Sequence, residues 1–205
     1  MDKRIAITRK YYDKQAGSWM KAACPHFWYE SEFKKFLSKL KPGGRVVDIG
    51  CANGIHVPMF LKYSSRIGYE GLDVSKRFVS IAKKRYPRVK FYIGDILSFK
   101  STKKYQGFWA AAVFMHIPGE LWPKLFTRLE NLVEKGGLGF FCIPSYKTEL
   151  SPRSDIRHFS FFTAAKTRKF LKSRGWKLLA TGSKRNLGTV WVGGWRWYLV
   201  RTPEC

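Results

Sequence analysis

Short unbroken apolar runs alternate along this chain with stretches whose apolar residues recur every three or four positions. Runs of the first kind suit strands buried on both faces, and the second kind marks one face of a helix. Val46, Val47 and Ile49 open the series of strands, after Lys41-Pro42-Gly43-Gly44 has broken the preceding segment. Further strands are predicted over 67–73, 89–93, 107–114, 138–143, 176–181 and 190–200. Between them, helices are predicted over 55–63, 75–86, 118–133 and 163–174. Glu134-Lys135-Gly136-Gly137 is expected to end the third of these with glycine in the closing position. Upstream, residues 4–20 are helix-compatible and aromatic-rich, and Phe33, Phe36, Leu37 and Leu40 share one helical face. The last two strands, joined around Asn186-Leu187-Gly188, should pair antiparallel. The pattern predicts an α/β fold with a parallel sheet finished by an antiparallel hairpin.

The first strand runs straight into a glycine turn, Asp48-Ile49-Gly50-Cys51-Ala52-Asn53-Gly54, and then into a helix. Such a turn lets a ligand approach bare backbone, and the helix start offers unpaired N–H groups. The spacing is not G-x-G-x-x-G, and an acid two residues before the first glycine would repel a pyrophosphate while suiting a ligand with an ammonium group. Asp73 lies 23 positions beyond Gly50, near the roughly 20 expected for an acid that grips a ribose diol from the end of a second strand. It could equally cap the helix that follows. Gly94-Asp95-Ile96 after the third strand offers a carboxylate beside an apolar side chain, or a simple turn.

Asp48-x-Gly50-x-Ala52-x-Gly54 resembles motif I of the class I S-adenosyl-L-methionine (SAM)-dependent methyltransferases, with Ala52 where that motif carries a glycine. Tyr11-Tyr12-Asp13-Lys14-x-Ala16-x-x-Trp19 resembles the lead-in helix that closes over the cofactor in small members of the family. Phe108-Trp109-Ala110 followed by His116-Ile117-Pro118 and Lys135-Gly136-Gly137 is similar to small bacterial methyltransferases of the 11/12 type, a group that includes tellurite-resistance-like proteins.

The resemblance implies a Rossmann-like sandwich with a mostly parallel seven-stranded sheet, SAM as cofactor and S-adenosyl-L-homocysteine (SAH) as its product. It implies one domain over 1–205, with 1–40 a helical lid and first helix and 41–205 the core. Around the cofactor it groups Asp48, Gly50, Cys51, Ala52, Asn53 and Gly54 of the turn. Asp73 and Val74 join them from the second strand end, and Asp95 and Ile96 from the third, where they would meet the adenine. Met115, Tyr12 and Trp19 complete the set. His116 is the candidate to take a proton or orient the acceptor, since an imidazole titrates near working pH; it could also be a residue that fixes the turn. Arg157 and His158 fall in the substrate-facing loop, where Arg157 could bind an anionic acceptor or pair with one of the chain's acids.

Composition changes this picture in one respect. The 205 residues, 45% of them hydrophobic, are enough for one substantial core. Lys and Arg number 39 against 14 Asp and Glu, a net charge of +25. That field would attract RNA or anionic substrates, although the basic residues are spread in twos and threes instead of forming an arm. Cys24, Cys51, Cys142 and Cys205 lack C-x-x-C spacing, and His26, His56, His116 and His158 lack ligand spacing. Free thiols, a cytoplasmic location and no metal are the expectation, with no signal peptide and no membrane span. Nothing fixes an oligomeric state.

No Asp/Asn/Ser-Pro-Pro-Tyr/Phe clamp for an exocyclic amine follows the fourth strand, and no Pro-Cys pair suggests a cysteine adduct. The leading expectation is methyl transfer to an oxygen, nitrogen or sulfur of a small molecule. An RNA (tRNA or rRNA) or protein methyltransferase is the alternative, with Trp rings of the C-terminal strand exposed to stack bases. A non-catalytic nucleotide-binding protein is the third, favoured if the Gly50–Gly54 turn is closed.

Overall fold

The computed structural model describes residues 1–22, 29–64, 66–144, 156–184 and 194–204, with side chains excepted at 19–22. Its centre is a seven-stranded sheet in the order β3-β2-β1-β4-β5-β7-β6. The strands are β1 (Arg45–Ile49), β2 (Gly68–Asp73), β3 (Lys90–Ile93), β4 (Tyr105–Ala110), β5 (Val133–Pro144), β6 (Lys177–Lys184) and β7 (Trp195–Arg201). The first five run parallel, and β7 lies antiparallel between β5 and β6. The helices are α1 (Lys3–Ala22), α2 (Glu30–Leu37), α3 (Val57–Tyr63), α4 (Lys76–Arg85), α5 (Trp122–Leu132) and α6 (Ala164–Ser173). None of the described helices is long and apolar enough to cross a membrane.

Strand alternation sorts the core into two faces. Val47, Ile49, Phe108, Ala110, Phe141 and Ile143 meet α5, α6 and Ile5 of α1 on one side. Val46, Trp109, Phe140 and Cys142 meet α2 and α3 on the other, where Trp109 stacks on Phe140 at 3.8 Å and 9°. The α3 and α4 helices cover the β2–β3 end of that second face through Val57, Val79 and Ala82, which cluster with Phe91 of β3. No helix joins β3 to β4, so Ile96 and Leu97 of the connecting loop supply the apolar cover there.

Three expectations need correction. The fourth strand stops at Ala110 rather than Phe114, because Ala112 turns left-handed (φ 57°) and Phe114–His116 coils into a 3₁₀ turn. The fifth strand begins at Val133, directly after α5, whose end is set by the extended backbone of Val133 (φ −98°, ψ 151°); Gly136 bends the strand and does not cap the helix. The described tryptophans of the C-terminal strand are not free to stack on bases: Trp195 and Trp197 are buried, the latter stacked on Phe140. The expected turn at 186–188 and the first residues, 190–193, of the expected last strand lie outside the described residues.

Candidate active site

Parallel register brings the carboxyl ends of β1, β2, β3 and β4 into one line, since Ile49 faces Leu72, Asp73 faces Ile93 and Asp48 faces Trp109. The glycine turn is fastened to that line by its own backbone: Gly50 N–H and Cys51 N–H both donate to the Leu72 carbonyl, at 2.8 and 3.2 Å. Gly50 (φ 73°) and Gly54 (φ 79°) are left-handed, and a Cβ on either would come within 2.8 Å of Val113 or Tyr86 respectively. Ala52 holds φ 48° in the place of the motif's middle glycine. Ala52 and Ala112 are the described non-glycine residues with positive φ, and both lie on this edge, where strained backbone commonly accompanies a site.

The three acids of the strand tips differ in what they face. Asp73 is buried, with Oδ2 accepting from Ala52 N–H (2.9 Å) and Oδ1 from Ser75 N–H (2.8 Å). Burial raises its pKa to about 6 against the opposing pull of those two N–H groups, and the nearby charges of Asp48 and Asp13 add to the rise. Each oxygen keeps a further lone pair for a donor such as a ribose hydroxyl. Asp95 is half-buried, its Oδ1 taking Leu97 N–H at 2.9 Å, and Ile96 beside it is buried in the core. Asp48 turns into the second sheet face instead. Its Oδ2 accepts from His56 Nδ1 (2.8 Å) and from the Tyr69 hydroxyl (2.7 Å), while its Oδ1 and Asn53 Nδ2 are buried and bare. Burial drives the Cys51 thiol well above its usual range, so it stays protonated. Asp73 and Asp95 thus line one edge with the glycine turn, whose Gly50 and Gly54 are closely backed by Val113 and Tyr86, and Asp48 braces the turn from behind through His56.

A second cluster forms where α1 crosses the tips of β4 and β5. His116 Nδ1 faces the His158 carbonyl at 2.7 Å, which can only accept, so Nδ1 carries the proton. In the neutral ring Nε2 then accepts from the Tyr12 hydroxyl at 2.8 Å, and Arg157 Nη1 donates to the same phenol oxygen at 2.9 Å. Three rings surround the Arg157 guanidinium: Tyr11 at 4.7 Å, Phe159 at 5.0 Å and Tyr12 at 5.5 Å. His158 contributes main chain to this cluster. Its N–H donates to Thr8 Oγ1 (3.0 Å), and its ring Nε2 meets Ser160 Oγ (2.9 Å), whose proton goes to the Ile117 carbonyl. Burial, then the Arg4 charge, lower the His158 pKa and favour its neutral form.

Of the residues expected from the sequence, the structure joins Tyr12, His116 and Arg157 in one hydrogen-bonded chain and sets Met115 in the adjoining core. Val74 is half-buried beside Asp73. The Trp19 side chain lies outside the described residues. Thr8, Asp13, His56, Tyr69, Ser75 and Phe159 carry contacts for which no role was expected. Asp13 alone had a local signal, its place in the lead-in motif.

A profile of the methyltransferase domain family matches residues 46–137. Malonyl-[acyl-carrier protein] O-methyltransferase 1 of Ilyobacter polytropus is 27% identical over 124 residues, covering 59% of this chain and 46% of that protein. Trans-aconitate 2-methyltransferase of Rhizobium etli is 30% identical over 94 residues, covering 46% of this chain and 36% of that protein. The chain thus spans less than half the length of the curated relatives it matches. In fold it is similar to magnesium protoporphyrin IX methyltransferase from Synechocystis PCC 6803 with bound SAH, at a TM-score of 0.77 and 17% identity over 97% of this chain and 99% of that one. With the motif, the turn and the strand order in agreement, residues 46–137 match the methyltransferase domain family and the chain has the fold of the class I SAM-dependent methyltransferases.

Proposed function

We propose that this protein methylates an oxygen, nitrogen or sulfur nucleophile of a small anionic molecule. The observation that carries the reading is the chain from Arg157 through Tyr12 to His116, which adjoins the edge that holds Asp73. Asp73 would hold the ribose, Asp95 and Ile96 the adenine, and α1 would act as a lid across both halves. Bound there, SAM supplies an electrophilic sulfonium methyl. The protein's task is then to align the nucleophile, exclude water and remove its proton, and alignment alone is worth roughly 7–11 kcal/mol in favourable cases. His116 has the free-base nitrogen for that proton, with Tyr12 as the hydroxyl through which it passes and Arg157 steadying the phenolate formed on the way. The His158 carbonyl stabilises the resulting imidazolium at Nδ1. Arg157, wrapped in rings, would take the anionic end of the acceptor, in keeping with relatives named for malonyl and trans-aconitate acceptors.

A second reading, RNA as acceptor, is favoured by the +25 charge, with lysines and arginines on the exposed sides of α1, α4 and α6. A cofactor-release assay against a panel of small carboxylates and phosphates and against total RNA, with Asp73→Ala as control, separates the two. Turnover with a small anion supports the first reading. Turnover with RNA alone, suppressed by salt, overturns it in favour of the second.

A further inference from the structure

The lid helix is held on by remarkably little apolar surface for its 20 residues: among its described side chains Ile5, Thr8 and Ala16 are buried. A segment so sparsely packed opens at low cost, and its polar ties decide how often it does. One of those ties leads back to the cofactor crevice. Ser75 N–H donates to Asp73 Oδ1 at 2.8 Å, and Ser75 Oγ donates to Asp13 Oδ1 of α1 at 2.6 Å while accepting from Phe78 N–H at 3.1 Å. Asp13 Oδ1 also meets Arg77 N–H at 3.3 Å, so a carboxylate from α1 sits at the positive start of α4. The next residue, Tyr12, packs its ring near Phe78 (6.1 Å) and gives its hydroxyl proton to His116. Two adjacent residues of α1 thus face the two halves of the site.

We propose that Ser75 and Asp13 are positioning residues that couple the acid gripping the cofactor's ribose to the lid, so that filling the crevice fastens α1 and thereby assembles the acceptor cluster. The inference rests on the reading that the crevice takes SAM. A diol donating to Asp73 favours the ionised form, which strengthens the bond from Ser75 N–H and so steadies the residue whose hydroxyl donates to Asp13. Acceptor binding is then ordered after cofactor binding, because Tyr11 and Tyr12, which contact Arg157, are both carried by α1.

The test uses SAH, calorimetry, and amide hydrogen exchange over residues 5–18 with and without ligand. In the wild type, SAH should slow exchange in α1 about ten-fold or more. Ser75→Ala and Asp13→Ala should still bind SAH, within about ten-fold of wild type, but lose the ligand-dependent protection of α1. Ser75→Thr should retain it. Asp13→Ala leaves the Ser75 cap on Phe78 in place, so a general weakening of α4 does not explain its result. A purely structural role would raise α1 exchange equally with and without SAH, and that outcome overturns the coupling. SAH binding to wild type without protection of α1 overturns it as well, while leaving the cofactor reading intact. No SAH binding by wild type sinks both.

Discussion

The two halves of the carboxyl edge are built in different ways. The half proposed for the cofactor is local: the glycine turn, Asp73 and Asp95 each sit at the end of the strand that delivers them, and parallel register aligns them. The half proposed for the acceptor is assembled from afar. Tyr12 meets His116 across 104 positions and Arg157 across 145, with α1 as the shared surface. Consequently the first half depends on the sheet, whereas the second depends on a lightly packed helix staying in place.

The sharpest way to break this comparison is His116→Ala. Removing the base should lower turnover about 10²–10⁴-fold while leaving SAH affinity nearly unchanged, as steady-state kinetics and calorimetry would read. Equal losses in both would show that the halves are one unit. A smaller effect comes from pH. Asp73, raised from its usual 3.8 to about 6 in the fold, stabilises the free protein below about pH 4, and that contribution is lost as pH rises through about 6. Ionised Asp73 is the form that accepts a diol, so SAH affinity should rise over the same window, by up to about ten-fold per pH unit. Thermal unfolding and SAH titration at pH 4–8 should therefore move in opposite directions, and Asp73→Asn should flatten both. The smallest effect is at the turn. Ala52→Gly relieves a left-handed alanine at the cost of glycine's chain entropy, for a net gain of about 0.5 kcal/mol in denaturant unfolding. A loss instead would mean that the Ala52 methyl is needed where it lies.

The same division governs what could be read from the chain. Strand runs, the Asp48–Gly54 turn and the register of Asp73 are short-range patterns, and they led to the sheet and to the cofactor half. His116 and Arg157 could be singled out by type and place, but Phe159, Thr8 and the main-chain role of His158 arise only when α1 folds across the strand ends. Asp48 shows the limit of a motif. Its position is a family signature, yet its carboxylate is held by His56 and Tyr69, side chains on other elements that no spacing rule joins to it. Trp197 shows the limit of composition, since an aromatic-rich strand looks the same whether its rings face solvent or Phe140.

The carbonyl of His158 fixes which imidazole nitrogen of His116 is protonated. If that peptide unit swung aside, the ring would lose the acceptor at Nδ1, and the cation formed on taking a proton would lose its counterweight. The reactivity of His116 is in this sense a gauge of backbone posture one strand away, so a substitution that merely shifts the peptide between His158 and Phe159 would register as altered proton affinity with every side chain of the cluster intact.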